Sequence, residues 1–402
     1  MKRYLNKTGK SRGLFVFAAA LWGFIFLSCN QAPIFYNLSL EPVPKDPLID
    51  GSPTNMVVVG NNLYAASRLS SKIFYFTKNV WYSIPSPGGA VGELASDGSN
   101  LYALVFPGGD PLESSAIYKL DTNGWTLITN SSAVGYSIQT LYGTNGRIFA
   151  GGQILHSNYA VYALFYIEPQ IDALPIVKEL VNNTSLLKGA AEDALGDIYL
   201  GTMGHGMYFF DGSSDAAIPI PSTAGVNITG VIAAGGRVLA VSSDGVNEGR
   251  IFIQNEGLTT FASSQMSLNF TGGMGIWKKY VPPIDETDTG TWEPALILLG
   301  IRAYGYSINH GYREMYISGG LPTFSAKHPG ESYDTLTSAK NTSKYRASIG
   351  KHPVHSIIQV PDGVIDYPVD MIANAGWEPP IFAATSKNGV WSYRSGQWNA
   401  ED

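Results

Sequence analysis

One short pattern recurs along this chain and restricts what it can fold into. A glycine or asparagine turn is followed by an apolar–aromatic run that ends in small residues. It reads DGSNLYALV at 97–105, TNGRIFAGG at 144–152, ALGDIYLGT at 194–202 and AGGRVLAVS at 234–242, with GNNLYAAS at 60–67 and PPIFAATS at 379–386 as further copies. A second strand-like segment follows each one, such as KIFYF, AIYKL, GMYFF or GVWSY. Several copies add a third, as in NVWYSIP and NGWTLI, and an apolar stretch such as GELAS or TGVIAA lies upstream.

Each unit therefore reads as four short antiparallel strands. The copies, at positions 63, 101, 148, 198, 238, 297 and 381, are mostly about 40 to 50 residues apart, with one long gap. Four strands per repeat of that length is the signature of a β-propeller blade. A lone twisted four-stranded sheet cannot cover its two faces, and radial stacking lets aromatics such as Tyr102, Tyr118, Tyr199 and Tyr208 pack between sheets. No segment beyond the N-terminal run keeps a 3.6-residue period, which excludes a helical body. The expectation is an all-β, seven-bladed β-propeller of four-stranded antiparallel blades over residues 51–402, preceded by a signal peptide and a short tether. LGDIYLGTMGHGMYFFDG at 195–212 resembles the repeats of two-component-regulator and YVTN/NHL-type propellers. The last unit, IFAATSKNGVWSYRSGQW, is similar to the same repeat.

The N-terminus carries an address. Lys2, Arg3, Lys7, Lys10 and Arg12 precede an apolar run from Leu14 to Leu27, shorter than the ~20 residues that span a bilayer. Ser28 then precedes Cys29, the single cysteine of 402 residues. FLSC resembles a bacterial lipobox of the relaxed kind found in spirochaete lipoproteins. The resemblance implies a signal peptide over 1–28, a covalent lipid on Cys29 and a lipid-anchored, exported protein of the cell envelope, on the inner or outer membrane. Two or three acyl chains hold stably where one holds weakly. Pro33, Pro42, Pro44 and Pro47 make residues 29–50 a stiff tether.

The net charge of −6 becomes −11 once the five positive charges of residues 1–28 are removed, since that segment has no acidic residue. An acidic surface without a basic cluster argues against nucleic acid as a partner. The expected partners are the membrane, through the lipid, and an envelope protein or glycan.

Two polar insertions break the sixth unit, at about 278–294 and 319–354. Long loops on a rigid body commonly carry binding. His328, His352 and His355 fall in or beside the second, but in HPVH two imidazoles three apart on a strand face opposite sides, so no metal site is expected. DTNG, DGSSD, SSDG and PDG lack the alternating oxygen ligands of a calcium loop and read as turns. No G-x-S-x-G elbow is present, SKNGVW is out of register with a sialidase box, and TSAK lacks the partner motifs of a penicillin-binding nucleophile. The adjacent pairs Glu192–Asp193 and Asp285–Glu286 do not suit an acid/base couple. No catalytic residue and no cofactor beyond the lipid is expected.

Two candidate surfaces remain. Trp277, Trp292, Arg302, Tyr304, Tyr306, Tyr312 and Arg313 concentrate hot-spot residue types around the sixth unit and suit a protein partner. Arg68, His205 and Lys387 sit in turns between the second and third repeat strands, which cluster on one face about the axis of a propeller. The first reading is an envelope platform for protein binding or assembly. The alternatives are a small-molecule or glycan receptor on the axial face, or an unrecognised hydrolase or lyase.

Overall fold

The computed structural model describes residues 48–49, 52–168, 176–182, 184–244, 248–266, 269–281, 291–301, 311–318, 321–323, 327–328, 331–332, 353–361, 364, 380–386, 389–394 and 397–401. The expected signal segment, Cys29 and the tether as far as residue 47 lie outside them.

The repeats form antiparallel four-stranded sheets. The first holds β1–β4 (Val57–Val59, Asn62–Ala66, Lys72–Thr77, Val80–Pro85) and the second β5–β8 (Ala90–Ser96, Leu101–Phe106, Ala116–Asp121, Gly124–Asn130). The third holds β9–β12 (Ser137–Thr144, Arg147–Leu155, Ala160–Glu168, Ile176–Asn182) and the fourth β13–β16 (Leu187–Glu192, Ile198–Thr202, Gly206–Phe210, Ile218–Pro219). The fifth holds β17–β20 (Ile228–Ala234, Arg237–Ser242, Gly249–Gln254, Phe261–Met266). Next come β21–β24 (Phe270–Val281, Thr291–Ile301, Gly311–Ser318, Leu321–Thr323) and a two-stranded hairpin, β25–β26 (Lys327–His328, Glu331–Ser332). The chain ends with β27–β30 (Val354–Gln359, Ile381–Thr385, Val390–Arg394, Gln397–Ala400).

The expected seven-bladed propeller is corrected to six regular blades. In those six no strand exceeds nine residues, as in β10 and β11. The sheet β21–β24 departs from them, since β21 has 12 residues and β22 has 11. Residues read from sequence as the insertion at 278–294 supply the ends of these two strands, so that Trp292 pairs with Tyr280 in register. Hydrophobicity alone did not show this, because the extension is polar and its pairing is carried by backbone hydrogen bonds.

The recurring LYA-type segments are the second strands of their sheets, and they are buried along their whole length in β6, β14 and β28. Both faces of such a strand meet a neighbouring sheet, which explains why these runs read as continuous rather than alternating. Phe76 of β3 lies 5.1 Å from Phe382 of β28, and Phe149 of β10 lies 6.3 Å from Phe210 of β15. Each such fully buried side chain contributes about 1.5–3 kcal/mol. The two chain ends of the described body are tied together. The Leu48 N–H donates to the Glu401 carbonyl at 3.0 Å, and Trp81 Nε1–H of β4 donates to the Glu401 carboxylate at 2.7 Å.

The first strands of the sheets crowd around an axis. A Cβ on Gly143 of β9 would lie 1.8 Å from the Ser96 carbonyl oxygen of β5, and one on Gly230 of β17 would lie 2.4 Å from the Gly272 carbonyl oxygen of β21. Met56 N–H donates to Ser356 Oγ of β27 at 3.0 Å, joining the first sheet to the last. Gly143→Ala therefore forces two backbones apart and should cost about 3 kcal/mol or more. Gly108→Ala, which meets nothing closer than 3.6 Å, should stay within about 0.5 kcal/mol of the parent. Urea unfolding of both variants checks this, and equal midpoints would show that the inner strands can spread at no cost.

Candidate functional site in the axial channel

The inner strands enclose a channel of about 540 Å³. That volume suits a small organic ligand. Alternation along a strand decides which residues face it. In β13, Lys188, Ala190 and Glu192 are partly exposed while Leu187, Gly189 and Ala191 are buried. Its lining includes the apolar Leu94, Leu141, Val231, Met274 and Ile276 and the polar Asn55, Tyr142, Lys188 and His355.

At the mouth where the inner strands begin, five sheets bring charged and polar groups together. Arg68, in the turn after β2, pairs with the Glu93 carboxylate of β5. The Arg68 side chain is 50% exposed while that of Glu93 is only 8% exposed, so the guanidinium faces outward over a buried acid. The second Glu93 oxygen accepts the Asn55 N–H at 3.2 Å. Burial pushes the Glu93 carboxyl above its ordinary range, against the opposing pull of Arg68, the Asn55 N–H and Lys188. Lys188 lies close enough to feel both charges. Burial depresses its ammonium, Glu93 opposes this, and Arg68 adds a smaller push in the direction of burial. The Tyr142 hydroxyl is raised by burial and then by Glu93.

His355 completes the polar part of the lining. Its Nε2 lies 2.6 Å from the Pro53 carbonyl oxygen. A carbonyl can only accept, so Nε2 carries the proton and donates, which leaves Nδ1 as an acceptor in the neutral ring. Burial lowers the His355 pKa despite this hydrogen bond, and Arg68 lowers it further.

Of the axial trio expected from sequence, Arg68 belongs to this cluster. His205 occupies the turn between β14 and β15, exposed and without a contact to Arg68. Lys387 lies outside the described residues, as do Arg302, Tyr304 and Tyr306. Tyr312, expected on a docking surface, is instead 4% exposed and packs with Leu296, Leu298 and Val354, and Trp277 leans on the same cluster. Between stacked sheets the apolar body of an aromatic is worth more in the core than at the surface. Trp292 and Arg313 are placed within β22 and β23 by strand register. Glu93, Lys188 and Tyr142 were missed. The signal was present, since each is a polar side chain inside a short inner-strand run (GELAS, LKGAAE, TLYGT).

Other constellations have structural duties. Asp97 accepts the N–H groups of Ser99 and Asn100 at 2.9 and 2.7 Å and the Tyr102 hydroxyl at 2.8 Å, so one carboxylate ties the turn to the core of its sheet. Asp193 repeats the device two sheets on, taking the Leu195 and Asp197 N–H groups at 2.9 and 3.1 Å. Its neighbour Glu192 turns to Arg147 at 3.6 Å, so the two carboxylates do not share a proton. Asp211 is held down at about 2 by the N–H groups of Ser214 and Ser213, as a turn rather than a calcium loop. Among the described residues no group of three His, Cys, Asp or Glu could hold a metal ion, and no helix is long and apolar enough to cross a membrane.

No protein-family model matches this chain, and no curated protein matches it in sequence. Among solved structures it is similar to YCF48 bound to a D1 peptide, at TM-score 0.48 and 10% identity over 89% of this chain and 98% of that one. It is also similar to the β-propeller domain of Cps50 (Swd1) from Myceliophteria thermophila, at TM-score 0.49 and 10% identity over 88% and 99%. Virginiamycin B lyase from Staphylococcus aureus gives TM-score 0.48 and 12% identity over 86% and 96%. At that distance none of them transfers a ligand or an activity.

The lowered His355 pKa sets a pH dependence. Above 6.5 the imidazole is neutral whether the chain is folded or not, and it contributes nothing to the slope. Below 6.5 the unfolded ring takes up a proton more readily than the folded one, so stability falls as the pH drops through that window toward the folded pKa. His355→Gln keeps an N–H donor for Pro53 and cannot titrate. Urea midpoints at pH about 7.5 and about 5.5 should therefore differ less in this variant than in the parent. An unchanged or larger difference would place the titrating group elsewhere.

Proposed function

We propose that this protein is a lipid-anchored binding platform of the cell envelope whose capturing surface is the mouth of the axial channel. One observation carries the reading. Side chains from five sheets converge on an open cavity with a mixed apolar and polar lining and a charged rim, and a single blade cannot supply that constellation. The cluster offers ion pairing and hydrogen bonding to a solute, which suits binding. An aromatic docking surface on the unit around β21–β24 is less well supported, because Tyr312 is spent on the core. The lipid anchor rests on FLSC and the charged, then apolar segment before it.

Two measurements test the reading. Cys29→Ala should abolish labelling by an alkyne fatty-acid probe and release the protein from the membrane fraction, and retained labelling would overturn the anchor. Thermal-shift screening of the full chain with small acids, sugars and short peptides should find a stabilising solute. The shift should shrink in Arg68→Ala, and a full shift in that variant would move the site off the axial mouth.

A further inference from the structure

We propose that the axial channel binds a monocarboxylate, with the anionic group seated against the Lys188 ammonium, beside the Arg68–Glu93 pair, and the apolar body along Val231, Ile232, Met274 and Ile276. The proposal deepens the receptor reading above and rests on it.

Lys188 carries the argument. It faces the channel from β13 and is partly buried, yet among the described residues no hydrogen bond or ion pair reaches its ammonium. Three N–H donors beside a cavity, with no acceptor, form an unfinished site. Arg68 pairs with Glu93 outside the residues that line the channel, and its half-exposed guanidinium adds positive charge beside Lys188.

The charge balance specifies the ligand further. Arg68 and Lys188 bring two positive charges, and Glu93 returns at most one negative charge. One further negative charge neutralises the cluster. A dianion overshoots. Glu192 lies four residues along β13 from Lys188, roughly 13 Å away at the rise of a strand. It engages Arg147 at 3.6 Å, so that cation is already committed and not offered to a second carboxylate. Much of the lining is apolar, so an acid with a hydrocarbon or peptide body fits better than a sugar acid hydroxylated throughout. The carboxylate could come from a small free acid or from a polypeptide C-terminus, since both present the same group.

Calorimetric titration of the full chain in detergent distinguishes these sources. The probes are hexanoate against hexanamide, adipate, and tetraalanine with a free or an amidated C-terminus. At least one carboxylate should bind, about tenfold or more tighter than its amide, and Lys188→Gln should weaken that binding by about tenfold or more. Tight hexanoate binding identifies a small acid, and preference for the free peptide terminus identifies a chain end. Without ligand, Lys188→Gln should melt no lower than the parent, because the cost of burying the ammonium exceeds its attraction to Glu93. Equal affinity for acid and amide, binding unaffected by Lys188→Gln, or adipate bound more tightly than hexanoate would each overturn the proposal. If a neutral solute from the screen binds at the mouth while every carboxylate fails, the anion assignment falls alone. If no solute binds there, the receptor reading falls with it.

Discussion

The structure depends on how closely the inner strands approach one another. At Gly143, Gly230 and Gly275 the next strand's carbonyl lies where a side chain would begin, at 1.8 to 2.4 Å from an ideal Cβ. Glycine is the residue that admits two backbones to this distance, and its entropic cost in a strand is about 0.5–1 kcal/mol. That cost is offset by the faces of the second strands, where Tyr102, Tyr199, Phe149 and Phe382 are buried without residual exposure. Crowding at the axis and burial between the sheets are two results of one radial arrangement.

The same arrangement forces polar groups inward. In β13 alternate residues are partly exposed toward the channel, whereas Val91 to Ala95 of β5 are all buried. Apolar residues such as Leu94, Leu141 and Ile276 line the channel together with Lys188, Glu192 and His355. Glu93 is buried and engaged twice, Arg68 covers it, and Lys188 is left without an acceptor. A desolvated charge only partly offset by Glu93 is a standing cost to the fold, and such costs concentrate where a ligand relieves them.

Much of the architecture was legible in the sequence, for particular reasons. The Asn145–Gly146 turn and its relatives mark where the first and second strands join, and Gly146 has the left-handed φ of 72° that such turns demand. The long polar hairpin of β21 and β22 was not legible, because strands extending beyond a blade need no apolar pattern. The candidate site was half legible. Arg68 was expected on the axial face from repeat register and joins the cluster through Glu93, but Glu93 and Lys188 stand among apolar and small residues in GELAS and LKGAAE and carry no motif. His355 was weighed only against His352 in the sequence, whereas its partner is the carbonyl of Pro53, about three hundred positions away.

By itself the sequence determined the repeat, the strand-rich class and the turn positions, because each depends on neighbours within a few residues. Tertiary structure alone decided which charges share a mouth, which aromatics become core and which cation goes without a partner. These relations join residues from five sheets, and distance along the chain carries no information about distance around the axis.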